Sequence, residues 1–124
     1  MPHARGRSPI SDIVADRYRN GQCDVFAYAL WLAHGRQGVI RMYAGRKHCH
    51  MYLVHKSGKL IDVFGTCTHR TVRRRWPTYS KVDDYHPRQL WHARQASLQL
   101  SSRSGGHVTQ ALKVIRSDPG RYLL

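Results

Sequence analysis

The spacing of hydrophobic and polar residues changes several times along the chain, and each spacing predicts a helix or a strand. Residues 25–33 are apolar on every side, which is typical of a central helix that is covered all round. We predict that this helix begins at Cys23 and ends near His34, where Gly35 supplies a left-handed cap. The small side chains within it allow close approach to a sheet.

Two further helices are predicted nearer the ends of the chain. Ser8-Pro9 is typical of an N-cap followed by proline at the first helical position, so a short helix is expected over residues 9–19, with residues 1–8 disordered. Apolar residues at helical spacing predict a last helix over residues 107–117, after a break at Gly105-Gly106. Residues 87–96 fit a helix and residues 96–100 alternate like a strand, and the pattern does not separate these two possibilities.

Shorter runs in the middle of the chain predict strands over residues 39–43, 48–55 and 59–64. Lys56-Ser57-Gly58 separates the last two strands and suits a turn in which Gly58 adopts the left-handed conformation. Residues 66–85 are predicted to be irregular, basic and aromatic. Together the elements predict one α+β domain of 124 residues, in which the central N-terminal helix packs on a small antiparallel sheet.

The composition adds a strong positive charge to this picture. The hydrophobic fraction of 41% suits a globular domain with one core. However, 21 Lys and Arg residues face only 7 Asp and Glu residues, for a formal net charge of +14. Such a field attracts polyanions, although a charge count alone defines no site.

The cellular location is expected to be cytoplasmic. The N-terminal residues are polar and basic without the apolar core of a signal peptide, and no stretch approaches the length of a membrane span. No membrane partner is therefore expected, and the three cysteines are predicted to be reduced. Reduced cysteines are catalytic, metal-binding or simply buried.

Three residues suited to thiol chemistry follow one another in the order nucleophile, base and orienter: Cys23, His50 and Asp62. A helix N-terminus stabilises a thiolate, and an imidazole can take the thiol proton. If the turn is centred on Ser57, Tyr52 faces Asp62, and His50 lies one diagonal step away on the same face. A two-residue turn would direct His50 to the other face. The first register lets Asp62 bond one nitrogen of His50 and leaves the other for Cys23.

An oxyanion hole requires N–H donors beside the nucleophile. We assign this role to the backbone N–H of Cys23 and the side-chain amide of Gln22, with Asn20 as a second candidate. Each of the three site residues alone has an ordinary structural explanation, as a buried thiol, a hydrogen-bonded histidine or a turn aspartate. Their joint occurrence favours catalysis.

Two patterns resemble the papain-like cysteine hydrolase superfamily: Gly-x-Cys-x-x-Phe-Ala-x-Ala-Leu over residues 21–30 and His-x-x-x-Val-x-x-x-Gly-x-x-x-Asp-x-x-Gly over residues 50–65. The likeness is greatest to its small bacterial and phage branches and to its transglutaminase-like relatives. The resemblance implies a papain-like or transglutaminase-like core with Cys23 as nucleophile, His50 as general base and acid, and Asp62 as orienter. The reactions it implies are peptide hydrolysis, deamidation, acyl transfer and transglutamination. A protein substrate that is cleaved or deamidated is expected rather than a metabolite, because a chain of 124 residues is too short for an elaborate small-molecule pocket, and no cofactor is expected. Papain has a glutamine several residues before its cysteine, whereas Gln22 is adjacent to Cys23.

Zinc binding is one alternative chemistry. His48-x-His50 and Cys67-x-His69 flank the hairpin and carry ligand types that zinc accepts. Their spacing matches no usual ligand pair, so no metal is assigned.

Polyanion binding is the other alternative. Residues 69–76 combine arginines with a tryptophan, and the predicted contacts to nucleic acid or an acidic protein are Arg70, Arg73, Arg74 and Arg75. In this alternative the protein is a non-catalytic basic module that binds nucleic acid or a ribonucleoprotein, such as a phage or bacterial inhibitor. The same surface is also compatible with an enzyme that recruits a polyanionic partner to its thiol.

Overall fold

The computed structural model describes residues 23–45, 49–75, 77, 81–86, 88 and 101–124, with residues 101–107 as backbone only. Helices and strands follow one another along the described chain in this order: α1 Cys23–Ala33, β1 Val39–Ala44, β2 Cys49–Val54, β3 Leu60–Asp62, β4 Gly65–Cys67, α2 His69–Arg75, β5 Lys81–Tyr85, α3 Ser101–Ser117 and a 3-10 helix Pro119–Tyr122.

The strands form one antiparallel sheet in the order β4-β3-β2-β1-β5. Strands β1 to β4 follow one another as hairpins, and β5 returns to pair with the other edge of β1. The predicted α+β class with an antiparallel sheet is therefore confirmed.

One face of the sheet carries the larger hydrophobic core. Helix α1 packs on this face and α3 packs against α1. Leu30 of α1, Leu53 of β2 and Ile115 of α3 are all fully buried there. The prediction of a central covered helix is confirmed, and Gly35 ends it with a φ of +71°.

The other face of the sheet carries a smaller core. Tyr43, Tyr52 and Leu60 point to this side and pack with Val72 of α2. Because successive side chains of a strand alternate between faces, Tyr52 and Leu53 of β2 enter different cores. The sheet is thus covered by α1 and α3 on one side and by the short helix α2 on the other.

The register of the β2–β3 hairpin agrees with the three-residue turn. Leu53 pairs with Ile61 and Val54 with Leu60, which centres the turn on Ser57. Gly58 has a φ of +90°, the left-handed conformation expected of it. The prediction that His50 and Asp62 share a face is confirmed.

Residues 66–85 were expected to be irregular, and this prediction is wrong. The segment contains the end of β4, helix α2 and strand β5. Helix α2 has a single buried residue, Val72, and β5 is mostly exposed. Neither element has enough apolar positions to show a hydrophobic period in the sequence. Strand β5 is stabilised instead by its pairing with β1.

Two element boundaries also differ from the prediction. Strand β3 ends at Asp62 because Val63 and Phe64 form the turn into β4. Helix α3 begins at Ser101 and continues through Gly105-Gly106, so the predicted break is wrong. Glycine disfavours a helix by only about 1 kcal/mol per residue, which packing of α3 on α1 can offset.

The predicted disorder of residues 1–8 and helix of residues 9–19 lie outside the described residues, as does most of the segment 87–100. Within the part of the chain that the structure describes, none of the helices combines the length and apolar character that crossing a membrane requires.

Candidate active site

The His50 imidazole and the Asp62 carboxylate form a buried pair on the α2 face of the sheet. Nε2 of His50 donates to Oδ2 of Asp62 over 3.0 Å, and the two side chains are 2% and 3% exposed. An ionised carboxylate can only accept, so this contact places the ring proton on Nε2. In that tautomer Nδ1 is the nitrogen that accepts a proton.

The Asp62 carboxylate is held at both oxygens. Oδ1 accepts the backbone N–H of Phe64 over 2.9 Å, in the turn from β3 to β4. Oδ2 lies 4.0 Å from Nη1 of Arg75, whose guanidinium also stands 5.9 Å from the centre of the Phe64 ring. The carboxylate is therefore fixed in the orientation in which it holds the imidazole.

An aromatic ring confines the other side of the imidazole. The Tyr52 ring meets His50 edge to face with 4.6 Å between ring centres. Tyr52 is fully buried, and burial together with the Asp62 charge raises the pKa of its phenol well above the usual range. The imidazole is thus held between a carboxylate and a neutral aromatic side chain, a setting that limits its rotation.

Cys23 is carried at the start of α1, the helix that packs on β2. It is the first residue of α1 and is 9% exposed. Cys49 and Met51, the residues on either side of His50, are among the groups that act on the pKa of its thiol.

The imidazole lies on the α2 side of the sheet. His50 packs there with Tyr52, and its neighbour Cys49 alternates to the other side of β2. The structure thus brings His50 to Asp62, as the sequence predicted. Direct transfer of the Cys23 thiol proton to His50 stays a prediction.

The surroundings of Cys23 act against its thiolate form. Cys49, burial and the Asp24 charge raise the pKa of the Cys23 thiol above its ordinary value. Cys23 and His50 lower the pKa of the Cys49 thiol. The helix N-terminus acts in the opposite direction at Cys23, so its stabilisation of the thiolate stays a prediction.

Sequence reasoning missed Cys49 and Asp24. Cys49 was not among the candidate site residues, although it directly precedes His50 in the sequence. Asp24 is a buried carboxylate in the first turn of α1, where Oδ1 accepts the backbone N–H of Val25 over 2.9 Å. Its position directly after Cys23 was visible in the sequence, but its burial was not.

The other predicted residues are placed as follows. Gln22 and Asn20, the oxyanion candidates, and His48, a zinc candidate, lie outside the described residues. Arg70, Arg73, Arg74 and Arg75 are exposed on α2, and Arg75 also approaches Asp62. Among the residues whose positions are described, no group of three or more His, Cys, Asp or Glu side chains is arranged to hold a metal ion.

Comparison with known proteins offers no relative from which a function can be transferred. The chain matches no protein-family model, no curated protein and no solved structure. Its function is therefore argued from the chemistry of the site.

Proposed function

We propose that this protein is a cysteine-dependent amide hydrolase or acyltransferase, a peptidase or protein deamidase built on a papain-like core. The observation that carries the proposal is the buried His50–Asp62 pair, with 3.0 Å between Nε2 and Oδ2. Burying an imidazole with a carboxylate is unfavourable unless the pair is well hydrogen-bonded, so such pairs are frequent where a ring tautomer matters. Cys23, at the start of α1, supplies the proposed nucleophile.

The roles follow from the chemistry of the three groups. His50 Nδ1 accepts the thiol proton once the Cys23 side chain turns toward it, and Cys23 then attacks the amide carbonyl. The imidazolium returns the proton to the leaving amine, while Asp62 stabilises the ring cation. The Cys23 backbone N–H and the Gln22 side chain are the proposed oxyanion donors. Water or an acceptor amine releases the acyl group from the sulfur.

The proposed reaction requires the Cys23 thiol to turn toward His50 at the start of β2. Substrate binding is the natural occasion for this movement, since hydrogen bonds in apo active sites are often incomplete.

Alkylation with iodoacetamide tests whether His50 activates Cys23. Peptide mapping follows the modification rate of each cysteine near neutral pH in the wild type and in His50→Ala. We expect His50→Ala to slow modification of Cys23 by about tenfold, because the base that takes its proton is missing. Asp62→Asn should slow it less, because the imidazole remains but loses its orientation.

Cys67 is the internal control in each sample. It lies on β4, and burial together with the Asp62 charge raises its pKa to about 11. Its slow modification should be the same in wild type and His50→Ala. An unchanged rate at Cys23 in His50→Ala would show that the imidazole does not serve this sulfur, and the proposed enzyme would be wrong.

A protein probe then separates the reaction types. Casein is incubated with the wild type, and new amino termini and released ammonia are measured in parallel. New termini indicate a peptidase and ammonia indicates a deamidase. Cys23→Ser should abolish the product and Cys67→Ser should not.

A second candidate function is polyanion binding through α2. Arg70, Arg73 and Arg74 are exposed on one short helix of a chain with a formal net charge of +14. Replacing these three arginines with glutamine should lower the salt concentration that elutes the protein from heparin or immobilised RNA. Cys23→Ala should leave elution unchanged. If both variants elute like the wild type, α2 is not the binding surface.

A further inference from the structure

One arginine of α2 reaches the buried imidazole–carboxylate pair. Arg75, the last residue of α2, places Nη1 4.0 Å from Oδ2 of Asp62. The same oxygen accepts the hydrogen bond from Nε2 of His50 over 3.0 Å. The guanidinium carbon of Arg75 stands 5.9 Å from the centre of the Phe64 ring. Asp62 Oδ2 is thus approached by both an imidazole and a guanidinium.

The two contacts of this oxygen differ in strength and in access to solvent. A distance of 3.0 Å is that of an ordinary hydrogen bond, whereas at 4.0 Å the attraction between the charges is what remains. Asp62 and His50 are 3% and 2% exposed, but the Arg75 side chain is 41% exposed. The contact from Arg75 is therefore the weaker of the two, and it is the one that a ligand in solution can reach.

Arg75 also belongs to the basic surface of α2. The sequence of the helix contains no acidic residue, and Arg70, Arg73 and Arg74 are exposed beside Arg75. Val72, the buried residue of α2, packs against the face of the sheet that carries the pair. A surface suited to sulfate or phosphate groups thus ends at the buried carboxylate.

We propose that Arg75 couples polyanion binding on α2 to the His50–Asp62 pair. In the free protein the guanidinium shares the charge of the Asp62 carboxylate with the imidazole. A sulfate or phosphate group of a polyanion offers Arg75 two parallel short contacts, which are stronger than one contact at 4.0 Å. The guanidinium turns outward to the polyanion, and Asp62 then holds His50 alone. Arg75 is thus a positioning residue that acts through Asp62.

This inference rests on the polyanion binding proposed for α2, and it has a consequence for the proposed hydrolase. A carboxylate whose charge is no longer shared with a guanidinium stabilises the imidazolium of His50 more strongly. The imidazole then takes the thiol proton of Cys23 more readily. A polyanion bound to α2 therefore activates the site.

Nuclear magnetic resonance of the His50 ring tests the coupling in the full chain without reference to activity. Histidine is labelled with nitrogen-15, and the ring resonances of His50 are followed near neutral pH while a heparin hexasaccharide is added. The backbone amides of α2 report binding itself. In the wild type we expect the His50 resonances and the α2 amides to shift along the same saturable curve.

Arg75→Gln and Arg74→Gln are a matched pair of variants, since each removes one exposed arginine from the same helix. Before heparin is added, Arg75→Gln should already shift the His50 resonances toward their heparin-bound positions, because the guanidinium has left Asp62 in both cases. Heparin should then move the α2 amides of this variant but not its His50 resonances. In Arg74→Gln, heparin should bind more weakly and still shift His50.

The outcomes separate the coupling from the polyanion binding on which it rests. If heparin shifts the α2 amides but not His50 in the wild type, polyanion binding stands and the coupling is wrong. The same conclusion follows if heparin shifts His50 equally in Arg75→Gln. If heparin shifts neither the amides nor His50, polyanion binding is wrong and the coupling falls with it.

Alkylation of Cys23 then separates the coupling from the proposed hydrolase. Heparin should raise the modification rate of Cys23 by about threefold in the wild type and leave it unchanged in Arg75→Gln. The rate of Cys67 should not change in either protein. If heparin shifts His50 in the wild type but leaves the Cys23 rate unchanged, the coupling is confirmed and the imidazole does not serve this sulfur.

Discussion

The two faces of the sheet differ in what they bury. The face covered by α1 and α3 is filled with apolar side chains, and Leu30, Leu53 and Ile115 there have no exposed surface. The face covered by α2 has a smaller apolar cluster and buries His50 and Asp62 beside it. Stability is thus concentrated on one side, while the other side accommodates a polar pair that needs hydrogen bonds rather than apolar contacts.

The candidate nucleophile belongs to the apolar side and its proposed base to the polar side. Cys23 is carried by α1, and His50 by the α2 face of β2. The proposed proton transfer requires them to meet where β2 begins, because a side chain can pass around the end of a strand but not through its middle. The difference between the faces therefore also sets where thiol chemistry can occur.

The largest effect is expected from truncating the two cores. Leu30 and Leu60 are both fully buried, one in each core. Leu30→Ala should lower the free energy of unfolding by about 4 kcal/mol, since α1 is enclosed by α3 and the sheet and its cavity cannot collapse. Leu60→Ala should cost about 2 kcal/mol, because the short helix α2 can move in. Urea denaturation measures both, and a larger loss for Leu60→Ala would contradict the assignment of stability to the α1 face.

The next effect, smaller than that of Leu30→Ala, is expected in the loop that leads into β1. Gly35 and Gly38 have φ values of +71° and +99°. A Cβ at Gly38 would lie 2.6 Å from the backbone oxygen of Val54, whereas one at Gly35 has open space. Gly38→Ala should therefore lower the free energy of unfolding by about 3 kcal/mol and Gly35→Ala by about 1 kcal/mol. Urea denaturation measures both losses. Equal losses would indicate that β2 gives way to the added methyl group.

A buried tyrosine on each face of the sheet allows the pH dependence of stability to be compared between the two faces. Tyr52 lies on the α2 face and Tyr122 on the α1 face, and burial raises the pKa of both phenols above the ordinary 10.0. A tyrosine whose pKa is higher in the folded protein than in the unfolded chain contributes its full stabilisation at pH values below the unfolded-chain pKa. This contribution is lost as the pH rises above that pKa. The free energy of unfolding should therefore decrease between about pH 10 and about pH 12 in the wild type. It should decrease less steeply in Tyr52→Phe and in Tyr122→Phe, because each variant lacks one of the two phenols. Urea midpoints across that range test this, and identical slopes in wild type and variants would refute it.

Tyr122 also has a contact that matters at neutral pH. Its hydroxyl donates to the backbone oxygen of Val63 over 2.7 Å, a buried contact between the 3-10 helix and the β3–β4 turn. Tyr122→Phe should lower the free energy of unfolding by about 1 kcal/mol there. This loss is separated from the alkaline effect by measuring the variant at about pH 7 as well.

The smallest effect is expected at the exposed edge of the sheet. Arg41 of β1 and Asp84 of β5 form a two-point ion pair, with Nε–Oδ1 at 2.8 Å and Nη2–Oδ2 at 3.1 Å. Their side chains are 26% and 43% exposed, so a double-mutant cycle with Arg41→Ala and Asp84→Ala should give less than about 1 kcal/mol of coupling. High salt should reduce it further. A larger coupling would mean that β5 depends on this pair.

Local patterns were enough to predict the first helix and the central hairpin. The continuous apolar run after Cys23 is typical of a covered helix, and Gly58 favours the β2–β3 register in which His50 and Asp62 share a face, as the structure shows. Both predictions depend on residues that are close in sequence.

Long-range contacts escaped the sequence patterns. Strand β5 is mostly exposed and exists because it pairs with β1, far earlier in the chain. Helix α3 continues through Gly105-Gly106 because α1 packs against it. Neither contact leaves a periodic pattern strong enough to recognise.

The chain by itself determined the α+β class, the hairpin register and the identity of the imidazole–carboxylate pair, because hydrophobic period and turn chemistry act between near neighbours. Only the tertiary structure decided how α1 and α3 stack on one face of the sheet and α2 on the other, because that depends on contacts between residues far apart in sequence. It also decided the burial of Cys23 and Asp24, which acts on the acidity of the Cys23 thiol through space.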